Sequence, residues 1–244
     1  MTQIAEQVGI HKSTVHRMLA TLEKKRFVKR DPDTGMYRLG IRLLQMAYLT
    51  LEHNDLHQVA APFLRSLGQR YQENVHLAVL DDTDVVFTYI IESPQRVKLA
   101  AAIGQRLPAF ATASGKAILA YMPEKMVRGI LDRGMPQWTP YTHNSPDTFF
   151  EDIDSFKEQG FAISEQEYEA EINAVAAPIF DLDGGPIASV AVAGPAYRLT
   201  RAHMIEIGPS VVATARQITQ EITMATNPKA NSAVDQPDTT RNNK

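Results

Sequence analysis

The 244-residue chain has no cysteine. That absence excludes disulfide bridges, thiolate-held zinc and thiol nucleophiles together, and it fits a reducing, cytoplasmic compartment. Long apolar runs are missing as well. The longest stretch without a charged residue, Gly184 to Tyr197, is 14 residues broken by glycine and proline, too short and interrupted to span a bilayer; no membrane partner is expected. The polar opening lacks the pattern of a secretory signal. Net charge is small too, −3 with a pI near 6.2. The hydrophobic and charged fractions, 44% and 22%, are those of an ordinary globular chain.

The modest net charge conceals an asymmetry. Residues 1–45 carry nine Lys/Arg against four Asp/Glu, whereas residues 46–244 carry sixteen against twenty-four. A basic head on an acidic body confines phosphate contact to the head. Within that head, the stretch Thr2 to Ile10 reads as a short helix followed by a tight turn at Gly9, and about His11 to Lys25 as a second helix. Val15, Met18, Leu19 and Leu22 fall on one apolar face of the second helix. Ser13, His16, Arg17 and Ala20 fall on the opposite one, small, polar and basic, as a helix lying in a major groove requires. Phe27 to Arg30 and Met36 to Leu39 then read as two short strands around the turn Asp31-Pro32-Asp33-Thr34-Gly35. A helix followed by a basic hairpin is the order of a winged helix-turn-helix; a solvated amphipathic helix with a surface hairpin is the alternative.

Beyond the head, Gly40 to Glu52 predicts a helix apolar on most of its circumference, which must be buried against something, a partner subunit being one candidate. The step His53-Asn54-Asp55 separates it from an amphipathic helix over Leu56 to Glu73. From Asn74 the period becomes that of strands. Val75 to Leu80 and Val85 to Ile91 form a hairpin, Val97 to Ile103 reads as a third strand, and Ala174 to Phe180 and Pro186 to Ala193 form a second hairpin. Helices are expected over Ala113–Tyr121, Glu124–Arg133, Asp147–Gln159 and Thr200–Ile222, and a disordered tail over 225–244. The fold class is α+β, with a central antiparallel sheet in the larger part.

Catalytic motifs are scarce. Gly115-Lys116 has neither the upstream glycine nor the following hydroxyl of a phosphate loop. His53 and His57 have metal-ligand spacing, yet straddle a helix break, and surface histidines are the plainer reading. Glu165, Glu167, Glu169 and Glu171 alternate like one face of an extended segment; a solvated edge or loop is favoured over an acid/base or metal site. Gly104 to Ala117 carries more information. It leads through small residues into a helix whose first N–H groups lack partners and can hold a carboxylate. An ordinary helix capped by Thr112 or Ser114 is the alternative.

Three blocks together resemble the IclR-type bacterial transcription regulators. They are Ile4 to Gly9 with Lys12 to Leu19 and Tyr37 to Gly40; Gly104 to Ala117; and Gly160 to Glu167 with Ala174 to Asp181 and Gly194-Pro195. The likeness covers about residues 2 to 224. It implies a winged helix-turn-helix over 1–40, a linker helix over 41–54 and a GAF-like effector-binding domain over 55–224. It also implies a homodimer or homotetramer, a pseudo-palindromic double-stranded DNA operator, a small organic acid as effector, and no catalysis, metal or cofactor. In this frame Ser13, His16 and Arg17 read bases, and Lys12, Thr14, Lys29, Arg30 and Arg38 hold phosphates.

The family's effector contacts map onto the backbone amides of Ala113 and Ser114, onto Ser164 with Glu165 beside it, onto Ala174, and onto Ala191 and Ala193. The last two positions bear hydroxyls in members that bind very small acids. Alanine there leaves an apolar wall and predicts a bulkier, less polar acid, aromatic ones included. Family members also carry a helix before Thr2 that packs on Ile4, Val8, Val15 and Leu19; it is missing here, so an upstream start or a truncated head is expected. The function that follows is an effector-responsive regulator, most often a repressor, of a catabolic or efflux operon. The alternative is a small-molecule-binding module whose head no longer engages DNA. An enzyme built on the Glu165–Glu171 cluster ranks last.

Overall fold

The computed structural model describes residues 2–52 and 55–226, which fall into two compact units, one up to residue 54 and one from residue 55. The step at 53–54 and the tail from 227 onward lie outside the described residues; 225 and 226, expected in that tail, end a helix.

The first unit runs α1 (Thr2–Val8), α2 (Lys12–Lys24), β1 (Val28–Arg30), β2 (Tyr37–Leu39) and α3 (Ile41–Glu52). His11 caps α2, its Nδ1 accepting from the Ser13 amide at 3.3 Å. The hairpin turn is held by Asp31, whose Oδ1 accepts from the amides of Asp33 and Thr34 at 3.1 and 2.9 Å. Gly40 lies so close to the preceding loop that a Cβ would stand 2.1 Å from the Arg26 carbonyl oxygen, so only glycine fits at the start of α3. The buried core is Ala5, Val15 and Leu19, with Ile4, Val28 and Tyr37 packed on it. The expected apolar face of α2 is thus only half used. Met18, Leu22 and also Val8 are exposed, because α1 and β1 cover a single stripe of the helix. Residues 41–47 of α3 are exposed as well.

The second unit contains α4 (Asp55–Tyr71), β3 (Asn74–Asp81), β4 (Asp84–Ile91), β5 (Arg106–Pro108), a 3-10 turn at Ala109–Ala111, α5 (Ala113–Leu119), α6 (Glu124–Leu131), α7 (Pro146–Gln159), β6 (Ala162–Glu165), β7 (Ile172–Phe180), β8 (Pro186–Pro195) and α8 (Arg201–Thr226). The strands form one antiparallel sheet in the order β5-β4-β3-β8-β7-β6. α4 and α8 pack together on the sheet, with Gly68 of α4 against Val75 and Ile91. α5 lies against β7, β8 and β6, at residues whose side chains alternate with those.

Two expectations are corrected. Val97 to Ile103 is not a strand. Its backbone oxygens are taken by side chains instead, Leu99 O by Asn74 Nδ2 at 3.2 Å and Val97 O by Arg198 Nη2 at 2.8 Å. The third strand comes later, at Arg106–Pro108, paired with β4. An edge strand that the periodicity did not reveal, β6, ends on Glu165, the first of the glutamate series. None of the described helices is long and apolar enough to cross a membrane.

Candidate nucleic-acid interface and enclosed cavity

On α2, Lys12, Ser13, His16 and Arg17 are all exposed and Thr14 is half-buried. Ser13 Oγ lies 2.8 Å from His11 Nδ1, which fixes its direction at the helix start. The hairpin sorts its three cations by strand alternation. Lys29 and Arg38 are cross-strand partners and share a face, while Arg30 pairs with Tyr37 on the other and stands over that ring at 6.0 Å. Two like charges directly opposite repel. Asp31 partly relieves them, its Oδ2 3.3 Å from Arg38 Nη2. Hydrogen bonds from Thr34, chiefly from its backbone amide, hold the Asp31 carboxyl below its ordinary range, so it stays ionised. Lys29 and Arg38 therefore share one face of the hairpin, and Arg30 lies on the other.

The second unit is hollow above its sheet, and the reason is legible in the register. Two rungs cross four strands: Ser164–Ala174–Ala193–Asn74, and Ala162–Ala176–Ala191–His76. Five of these eight positions are alanine, four of them on the inner strands β7 and β8, so the side chains under α5 leave space that larger residues would fill. The result is a cavity of about 130 Å³. Its floor includes Ala174, Ala191, Ala193 and His76, and Thr112, Ala113 and Ser114 line it from α5.

α5 is seated by close contact. A Cβ on Gly115 would lie 2.1 Å from the carbonyl oxygen of Ala109, so the Gly-Lys pair serves packing. Thr112 is the cap: its Oγ1 accepts from the Gly115 amide at 3.2 Å and its carbonyl accepts from the Lys116 amide at 2.9 Å. The amides of Ala113 and Ser114 are first-turn groups without a helical acceptor. Ser164 Oγ makes only a long bond, 3.4 Å to the Ala111 carbonyl, and lines the same space.

Of the seven mapped effector positions the cavity gathers six: Ala113, Ser114, Ser164, Ala174, Ala191 and Ala193. Glu165 is not among them. Next to Ser164 on a strand, it projects to the other face and pairs there with Arg201. The reading of residues 165–171 as a solvated edge or loop holds for the exposed Glu169 and Glu171 and fails at Glu167. Gln166 and Glu171 take positive φ, which breaks the alternation, and Glu167 turns inward.

Glu167 meets Lys116, which is 0% exposed. Lys116 Nζ lies 2.5 Å from Glu167 Oε1 and 2.9 Å from Asp152 Oδ2, and 5.1 Å from the Phe156 ring centroid. His143 Nε2 is 2.9 Å from the same Asp152 oxygen. Burial pushes the Asp152 carboxyl up, but bonding to His143 and the charge of Lys116 outweigh it, and the group ends below its ordinary value of 3.8. Ligand atoms of His143, Asp152 and Glu167 lie within 4.8 Å of one another, as a metal would require. The Lys116 ammonium, bonded to both carboxylates, already supplies a positive charge there. Of the spaced histidine pair, His53 lies outside the described residues and His57 is buried against Tyr89 rather than on the surface.

Several cavity residues escaped the sequence reading, among them His76, which has an unmet polar atom. His76 is 2% exposed, tilted 32° against Phe87 with ring centroids 4.4 Å apart, and its Nε2 has no hydrogen-bond partner. Burial pushes it down to about 4. An unpartnered buried polar atom costs about 1–3 kcal/mol. A histidine inside an apolar strand run carried no signal of this; only the register exposes it.

A winged helix-turn-helix joined to an antiparallel α/β unit enclosing a ligand-sized cavity defines a sensing transcriptional regulator, and comparison with known proteins agrees. Residues 48–220 match the family described as bacterial transcriptional regulator IclR C-terminal, and residues 1–32 match the IclR helix-turn-helix domain. The chain belongs to the IclR family. It is 30% identical to the transcriptional repressor IclR of Escherichia coli K12, over 90% of this chain and 81% of that one. Among solved structures, the Thermotoga maritima IclR is 28% identical with a TM-score of 0.73, covering 91% of this chain and 90% of that one. An IclR homologue of Microbacterium hydrocarbonoxydans, complexed with 4-hydroxybenzoate, is 26% identical with a TM-score of 0.77 and the same coverage.

Proposed function

We propose that the chain is a cytoplasmic repressor of a catabolic or efflux operon whose grip on operator DNA is set by an organic acid of aromatic character. The observation that carries this is the cavity under α5, hollowed by alanines. A cavity of about 150 Å³ with apolar walls takes up one benzene ring, and this one is close to that size. The carboxylate would rest on the amides of Ala113 and Ser114 with Ser164 beside them, and the ring on Ala174, Ala191 and Ala193. The relative solved with 4-hydroxybenzoate supports the same class of acid. In the head, Ser13, His16 and Arg17 would read base edges, and Lys12, Thr14, Lys29 and Arg38 would hold phosphates, with Arg30 on a separate strand of contact. The exposed apolar side chains of Ile41, Leu43 and Leu44 on α3 support self-association as a dimer or tetramer. No reaction is assigned. Glu165 and Glu167, the carboxylates an enzyme would need, are engaged by Arg201 and Lys116.

A second reading, an acid-binding module without DNA affinity, is favoured by the head's small core of three buried residues. Fluorescence anisotropy on the DNA upstream of the coding region separates the two. The first reading expects salt-sensitive binding, weakened about tenfold or more by an aromatic acid. It also expects Ala191→Leu to keep DNA affinity and lose the response to acid. Acid binding without any salt-sensitive DNA binding would establish the second.

A further inference from the structure

We propose that His76 sets the specificity of the cavity, its imidazole bonding a hydroxyl on the ligand's ring so that hydroxylated aromatic acids are selected over the parent acid. The proposal rests on the cavity being the effector site. The rung Ala162–Ala176–Ala191–His76 is alanine at three positions and imidazole at the fourth. A residue present only to fill space beside Phe87 would be apolar. This one carries a buried nitrogen that no described group satisfies, on a ring that lines the cavity. Packing of the ring against Phe87 fixes its orientation.

Position adds to chemistry. Ser164, on β6 and close to the start of α5, is separated from β3 by β7 and β8. Three interstrand steps of about 4.8 Å place the two strands about 14 Å apart. A ring with a carboxylate at one side and a hydroxyl at the other bridges such a span; an unsubstituted acid leaves His76 unmet. Burial keeps the imidazole neutral at pH 7. A neutral imidazole offers one donor and one acceptor, which suits a hydroxyl better than a second carboxylate.

The test is calorimetric titration of the whole chain with benzoate and with 2-, 3- and 4-hydroxybenzoate. The wild type is expected to bind at least one hydroxylated isomer about tenfold tighter than benzoate, the scale of one buried hydrogen bond. His76→Phe should lose that preference, read as the ratio of each isomer's affinity to that of benzoate in the same protein. Survival of the preference in a folded His76→Phe protein overturns the proposal and moves the contact to Gln105 or Tyr168, which also line the cavity. A wild type that binds benzoate and every isomer equally overturns it too, while leaving the effector site standing. Binding of none of the four acids removes the effector reading itself, and the proposal with it. Should His76→Phe not fold, the wild type decides. With 15N-labelled histidine, one ring resonance must shift with the preferred isomer and stay in place with benzoate; no shift overturns the proposal.

Discussion

In the first unit the buried core is three residues, and the side chains proposed to meet DNA all face outward: Ser13, His16 and Arg17 on α2, Lys29 and Arg38 on the hairpin. In the second unit a six-stranded sheet is covered by helices, and the side chains proposed to meet a ligand face inward, onto a space that alanines leave open. A reading head needs an exposed face of fixed charge on a scaffold that is only just held. A sensor needs a rigid shell, because a hollow survives only where the surrounding packing cannot collapse into it. The same chain meets both demands by keeping an excess of basic over acidic residues in one unit and small residues at the centre of a sheet in the other.

The comparison breaks first at Lys116. If the shell must be rigid, Lys116→Met, which strands Glu167 and Asp152 without their cation, should cost the second unit about 3–5 kcal/mol, read as a lowered urea midpoint. Adding Glu167→Gln and Asp152→Asn should recover part of the loss. A single variant as stable as the wild type would mean that the buried pair does not hold the shell.

The head is tested by a smaller effect. Arg17→Ala should reduce discrimination between operator and random DNA by about 1–3 kcal/mol. Lys29→Ala should weaken both equally and lower the salt slope by about one unit. Equal losses from Arg17→Ala on both DNAs would assign it to phosphate contact.

Acid gives the finest contrast. His76 and His57 are both buried and neutral, with His76 pushed down from 6.5 to about 4. Below pH 6.5 the unfolded chain binds protons that the folded one refuses, so stability should fall as pH drops from 6.5 towards 4, by at most about 1.4 kcal/mol per pH unit for each such histidine. His76→Phe should flatten part of that slope. Asp152 acts in a separate, lower window. Its carboxyl is held below 3.8, and the stability it contributes is lost only as pH falls through that region.

Much of this was legible in the chain. The periodicity of α2, the turn at Asp31–Gly35 and both hairpins of the sheet follow from local rules, and the start of α5 announced itself through its small residues and Thr112. What stayed hidden depends on partners distant in sequence. Val97–Ile103 has strand-like composition, but Asn74 and Arg198 compete for its backbone. Glu167 belongs to an apparent charged run, and only a lysine 51 residues away makes it a buried ion. His76 sits in a buried strand where no pattern distinguishes a packed imidazole from one that faces a hollow. Register, rather than composition, separates the two.

The alanine rungs have a consequence for inheritance. Each of those side chains ends at its β-carbon and makes no polar contact, so replacing one with valine, serine or threonine reshapes the chamber while leaving the ladder of the sheet as it was. Most such exchanges need a single nucleotide change in an alanine codon. Duplicate copies of a gene like this one can therefore drift from one acid to another step by step, keeping the shell and the DNA-reading face intact throughout.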